Sequence, residues 1–261
     1  MTLLQNYGMR LVTSISKKVH TFTRTLFGTK FTSVTTFLRR FSKEKTEEEW
    51  NEIALNCINS KDKKNEKYNG MSVKQVRDAW SYSGDYAKKL GTEMHSVMEN
   101  LWYRKDYNGN RALMSNYEGM EQDFDERKVY CKSLYNKMRK MYVPIKNEFI
   151  VYDVDNALCG TIDFLAYNKV KKCYSIIDWK TSKSFDTSNV KGEKLLAPFT
   201  DFDACNVNEY SIQLSTYAYI LEKHTSIRIG EMVLFQIPKA STAPTICVCN
   251  DMRPYLKTIL K

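Results

Sequence analysis

Tyr174-Ser-Ile-Ile-Asp-Trp-Lys180 reads as a short apolar strand that ends in charge. Side chains alternate faces along a strand, so Ile176, Asp178 and Lys180 share one face while Ile177 and Trp179 take the other. Burying an acid and a lysine two residues apart is costly unless they pair or bind something. The segment before it, Leu158–Tyr167, is a second strand and carries Asp163 in Gly160-Thr-Ile-Asp163. Asn168–Lys172 is the polar turn between the two strands, and a hairpin centred there sets Asp163 beside Asp178. Two neighbouring carboxylates repel each other, and a divalent cation removes that cost. Oxygen ligands favour Mg²⁺ or Mn²⁺. A lysine next to such an ion stabilises charge building on a phosphate or orients the attacking water.

Working outward, Glu148–Val154 alternates as a strand, so three strands in close succession predict an antiparallel meander. Residues 183–208 form a polar loop, Tyr210–Lys223 a helix and Glu231–Ile237 a further strand. Upstream the period changes to that of helices. Trp50, Ile53, Ala54 and Cys57 recur at helical spacing. Ser72-Val-Lys-Gln75 is a capping box that starts a helix carrying Val76 and Trp80. A second helix, from about Asp85 to Tyr103, presents Leu90, Met94, Val97, Met98 and Leu101, and a further one spans residues 119–141. Phe31-Thr-Ser-Val-Thr-Thr-Phe37 is β-branched and aromatic. No repeat or clear linker interrupts the chain, which predicts one domain over residues 1–261: a mainly helical part (1–145) and a part carrying the sheet (146–261).

The 261 residues carry a formal charge of +10, which favours polyanions and nucleic acid first. No apolar run approaches the roughly 18–20 residues of a membrane helix, so no membrane partner is expected. The seven cysteines are odd in number and scattered, which fits a reducing compartment. Cys247-Val-Cys249 reads as two strand residues. Before Glu44 the chain carries Arg10, Lys17, Lys18, Arg24, Lys30, Arg39, Arg40 and Lys43 and no acid. That segment is either a mitochondrial-type presequence or a basic edge that grips DNA.

Gly160-Thr-Ile-Asp163 followed by Ile177-Asp-Trp-Lys-Thr-Ser182 resembles the core of the PD-(D/E)XK nuclease superfamily, and more narrowly its RecB-like exonuclease branch. Gly91-Thr-Glu-Met-His95-Ser-Val-Met-Glu99 is similar to that branch's upstream G-x-x-x-H-x-x-x-E helix, and Gln213-Leu-Ser-Thr-Tyr217 to its downstream Q-x-x-x-Y helix. Ser33-Val-Thr-Thr36 resembles a segment of the mitochondrial genome maintenance exonucleases and their phage and viral relatives. The likeness covers roughly residues 31–221.

The resemblance implies an α/β (α+β) fold: a restriction-endonuclease-like core with a central mixed sheet flanked by helices. It implies that His95, Asp163, Asp178 and the Trp179 carbonyl hold one or two Mg²⁺ or Mn²⁺ ions, with Lys180 positioning the water that attacks the phosphate. Glu99 either joins the chemistry or orients His95. Glu148 is either an outer-shell acid or a structural one. Gln213 and Tyr217 would contact DNA and steady the site, or, for Tyr217, simply pack. Ser33, Thr35 and Thr36 either bind phosphate through hydroxyls and N–H groups or are plain strand residues. Iron–sulfur relatives carry cysteines at a spacing that Cys57, Cys247 and Cys249 do not reproduce, so no iron–sulfur cluster is expected.

The activity implied is that of a metal-dependent DNA exonuclease giving 5′-phosphate products. It would act on single strands or free ends in replication, recombination or repair, alongside proteins of those processes. A presequence would then fit only in the first ~20 residues, and an intracellular enzyme of phage or viral type is expected ahead of a mitochondrial one. The alternative is an inactive nuclease fold that only binds DNA. Decayed copies lose the lysine or an aspartate, and this chain keeps both.

Overall fold

Residues 30–239 and 243–261 are described by the computed structural model. The basic stretch before Lys30, with the presequence reading attached to it, lies outside them.

A six-stranded mixed sheet forms the centre. Strands β2 (Tyr142–Asp153), β3 (Leu158–Asn168) and β4 (Cys173–Lys180) pair antiparallel in sequence order, as the expected meander. Strand β5 (Ile229–Gln236) runs parallel to β4, and the three-residue β6 (Ile246–Val248) closes that side. The two-residue β1 (Thr32–Ser33) lies parallel to the start of β3.

Helices cover both faces. Helix α3 (Val73–Trp102) and helix α5 (Met120–Met141) bury Leu90, Met94, Met98, Phe124 and Met138 against Ile177, Trp179 and Phe164. Helix α6 (Asn206–His224) lies on the opposite face, where Leu214, Tyr217 and Leu221 meet Ile176, Ile162 and Leu234. Ile176 and Ile177 therefore enter different cores, as the alternation of β4 requires. Three short helices, α1 (Val34–Leu38), α4 (Arg111–Met114) and α7 (Arg253–Leu256), and the longer α2 (Glu47–Asn59) complete the α-helices of the described residues.

Some expected boundaries shift. The two helices read over 72–103 are one 30-residue helix, about 45 Å long. The only break signal, Ser81-Tyr-Ser-Gly84, contains no proline. A lone glycine in a helix costs roughly 1 kcal/mol without ending it. Helix α2 packs Ala54 against Val76 and so supports the first turns of α3. The β-branched run at 31–37 is a strand for two residues only, because Ser33 accepts a hydrogen bond from the Thr36 N–H and caps helix α1. Helix α6 starts four residues earlier than its periodicity suggests.

Candidate active site

The β3–β4 ladder stops at Phe164–Ile177. One step further in the same register would pair Asp163 with Asp178, but there the strands part. Strand β2 fills the other edge of β3 throughout, and β1 joins the β4-side edge only at Leu158 and Cys159. Residues 160–163 thus face a gap in the sheet. The Asp163 side chain takes over the missing bond, its Oδ2 accepting the Trp179 N–H at 3.0 Å.

The same point is irregular on β2. The pairs Asn147–Phe164 and Phe149–Ile162 set Glu148 directly across from Asp163. Glu148 has a φ of 46°, the left-handed region, which costs about 1 kcal/mol or more for a side-chain-bearing residue. The alternation breaks with it: Ile162 and Phe164, two apart on one strand, lie in different cores. The kink breaks the strand pattern where Asp163 and Glu148 meet the gap.

His95 reaches that gap from α3. Its Nε2–H donates to the Trp179 carbonyl at 2.8 Å, and its Nδ1 lies 3.4 Å from Asp163 Oδ2. With Nε2 committed as donor, a neutral ring turns the Nδ1 lone pair toward a carboxylate. That arrangement calls for a proton or a cation between the two atoms. Among the described residues, one ligand atom each of His95, Glu148 and Asp163 lie within 4.8 Å of one another. The donor set, one imidazole and two carboxylates, fits a divalent cation. Burial pushes the Asp163 carboxyl above its ordinary 3.8, and the Asp178 charge adds to that. His95, Lys180 and the Trp179 N–H pull the other way.

Asp178 and Lys180 share the α6 side of β4, as alternation predicts. Their side chains are 5% and 17% exposed, and Nζ stands 2.7 Å from Asp178 Oδ2. The two form a close ion pair, and among the described residues Oδ2 has no other hydrogen-bond donor. Burial alone would lower the Lys180 pKa; the Asp178 and Asp163 charges outweigh burial and hold the ammonium protonated. The Nζ also sits over the Tyr210 ring of α6, 4.3 Å from its centroid.

The remaining expected residues separate. Glu148, read as an outer-shell or structural acid, stands among the donor atoms, whereas Glu99 and Asp178 lie outside that group of three. Glu99 is half-buried one turn beyond His95. Gln213 donates its amide to the Tyr217 hydroxyl at 3.0 Å. Tyr217 is 4% exposed with its ring against Gly160. Its ring is enclosed in the α6-side core. Ser33, Thr35 and Thr36 form an exposed hydroxyl cluster, Ser33 Oγ lying 3.0 and 2.8 Å from the two threonine oxygens.

Two residues of this region escape sequence reading. Tyr210 precedes Gln213 by one helical turn, and that spacing was its only signal. Arg127 of α5 is buried, bonded to Asp123 at 2.8 Å and to the carbonyls of Thr181 and Ile237, just past the ends of β4 and β5. Its i,i+4 spacing from Asp123 looks like any surface pair.

Residues 66–249 match the family model of the PD-(D/E)XK nuclease superfamily. No curated protein matches the chain.

Proposed function

The chain belongs to the PD-(D/E)XK nuclease superfamily, and from that premise we propose that it is a Mg²⁺- or Mn²⁺-dependent DNA exonuclease of RecB-like type. It acts on single strands or free ends and leaves 5′-phosphates. One observation carries the reading: His95, Glu148 and Asp163 converge where β3 and β4 part, beside Lys180.

His95, Glu148 and Asp163 would hold the cation, with Asp178 and the Trp179 carbonyl at its edge. When bound, the ion supplies Lewis-acid charge at the phosphate and lowers the pKa of water. The chain's own groups do the rest. The Lys180 ammonium faces the same gap and offers N–H groups to a phosphate oxygen or to the attacking water. The Trp179 N–H fixes the Asp163 carboxylate, so its free lone pairs stay aimed at the gap. Half-buried Gln213 and the Ser33–Thr35–Thr36 hydroxyls, where the short strand beside β3 turns into α1, suit the phosphates of a bound strand.

The test uses the full chain on linear single-stranded, linear duplex and circular DNA, each linear strand labelled at either end. We expect loss of linear DNA with Mg²⁺ or Mn²⁺, none in EDTA, and a circle that resists. Lys180→Ala and Asp178→Ala should abolish cleavage while the protein stays folded and DNA-bound. Undiminished cleavage by either variant overturns the assignment, and rapid cutting of the circle overturns the exonuclease part of it.

A further inference from the structure

The Lys180 ammonium has two neighbours of different character. Asp178 Oδ2 lies 2.7 Å away and carries a charge. The Tyr210 ring lies 4.3 Å away and carries only the negative face of an aromatic quadrupole. A lysine side chain that leaves both has solvent beside it, being 17% exposed.

The two neighbours respond differently to a divalent cation in the gap. A cation near Asp178 draws on the carboxylate and repels the ammonium, since Coulomb forces act strongly at this depth. The ring face keeps its attraction whatever happens at Asp178. Its place is fixed by the fold: Tyr210, Gln213 and Tyr217 recur on one side of α6, and Tyr217 is wedged against Gly160 at the start of the gap. Tyr210 itself is half-buried and packs against the α6-side core.

We propose that Tyr210 is a positioning residue for Lys180: its ring face is the seat that keeps the ammonium at the reacting phosphate when a divalent cation engages the Asp178 carboxylate. The inference rests on the nuclease reading above. The ring touches no reacting atom and acts through the lysine alone.

The test replaces Tyr210 by phenylalanine and then by mono-, di- and trifluorinated phenylalanine. Fluorine withdraws charge from the ring face while the shape and packing stay nearly constant. In single-turnover cleavage of end-labelled DNA with Mg²⁺, the rate should fall stepwise along the series. By the last member we expect about a tenfold loss, with the DNA concentration for half-saturation unchanged. Calorimetric titration of the DNA-free protein with Mg²⁺ alone gives a readout that needs no turnover. As the ring face weakens, the ammonium presses onto Asp178 and competes harder, so Mg²⁺ affinity should fall several-fold along the same series. In a Lys180→Met background the affinity series should be flat and the binding tighter throughout.

A flat rate series in an active enzyme overturns the proposal. So does an affinity slope that survives Lys180→Met, because the ring would then act without the lysine. A wild-type protein that cleaves no DNA while the affinity series still slopes overturns the nuclease reading and leaves the seat for Lys180 standing.

Discussion

The α-carbon of Gly160 lies so close to Tyr217 that a β-carbon added there would meet the ring Cε1 at 2.4 Å. Gly160 opens the segment that ends in Asp163, and Tyr217 sits about three turns into α6, so this contact sets the helix against the edge of the gap. Gly160→Ala should force the ring aside, and overpacking of this kind costs about 1–3 kcal/mol. We expect a lower urea midpoint and at least a tenfold loss of cleavage, both partly restored by adding Tyr217→Leu. A Gly160→Ala protein as stable and active as wild type would show that the ring has room to move.

Glu148→Gln should weaken divalent-metal binding more than Glu99→Gln. Glu148 offers an oxygen within the group formed with His95 and Asp163, and Glu99 lies outside it. Removing a partner around a bound metal costs about 10–100-fold in affinity, and a direct donor belongs at the upper end. Titration with Ca²⁺, which avoids turnover, reads the difference. Equal losses in the two variants would remove Glu148 from the donor set.

The parts of this site legible in the sequence are those governed by local periods. A strand repeats every two residues, so Asp178 and Lys180 share a face, and a short turn brings Asp163 level with them. His95 is legible through the spacing of its motif, although helix periodicity does not say which carbonyl its ring will meet. The place of Glu148 opposite Asp163 is not legible, because one left-handed residue breaks the alternation of β2 and nothing in its neighbours announces that. Tyr210 and Arg127 are recognised only by what they touch: Lys180 lies 30 residues before Tyr210, and Thr181 lies 54 after Arg127. The β-branched run at 31–37 misleads because a serine cap outweighs strand propensity. The match of residues 66–249 to the family covers the catalytic meander and α3 but stops short of the hydroxyl cluster near Ser33.

The contribution of Asp163 to metal-free stability should fall as pH rises through the acidic range. Burial first, and then the Asp178 charge, raise this carboxyl above its ordinary 3.8. A folded-state pKa above the unfolded value means that the native state prefers the protonated acid. The cost is absent below the unfolded pKa, grows between the two values and is full at neutral pH. Asp163→Asn can still accept the Trp179 N–H and should stabilise the metal-free protein at pH 7 by about 1–3 kcal/mol. The gain should vanish near pH 3. Metal affinity of the wild type should move the opposite way, rising with pH until Asp163 is fully ionised. Thermal melts with and without EDTA across pH 3–8 check both trends, and a gain from Asp163→Asn that is independent of pH would refute the assignment of the strain to this carboxyl.

Arg127 should prove as important to stability as any core residue, although it carries a charge. Its side chain is 9% exposed and that of its Asp123 partner 7%. It bridges Asp123, itself held by the Tyr86 hydroxyl of α3 at 3.2 Å, to the Thr181 and Ile237 carbonyls. The Ile237 N–H in turn donates to the Lys180 carbonyl at 2.8 Å, so the arginine ties α3 and α5 to the end of the strand that carries Lys180. Arg127→Met leaves Asp123 as an uncompensated buried charge and should cost about 3–5 kcal/mol. Because the penalty comes mainly from the stranded acid, Asp123→Leu in the same chain should recover most of it. Urea unfolding of the two single variants and the double variant gives the coupling energy. Recovered stability without recovered cleavage would show that the bonds to the strand ends set the position of Lys180, whereas recovery of both would mean that packing alone holds the strand in place.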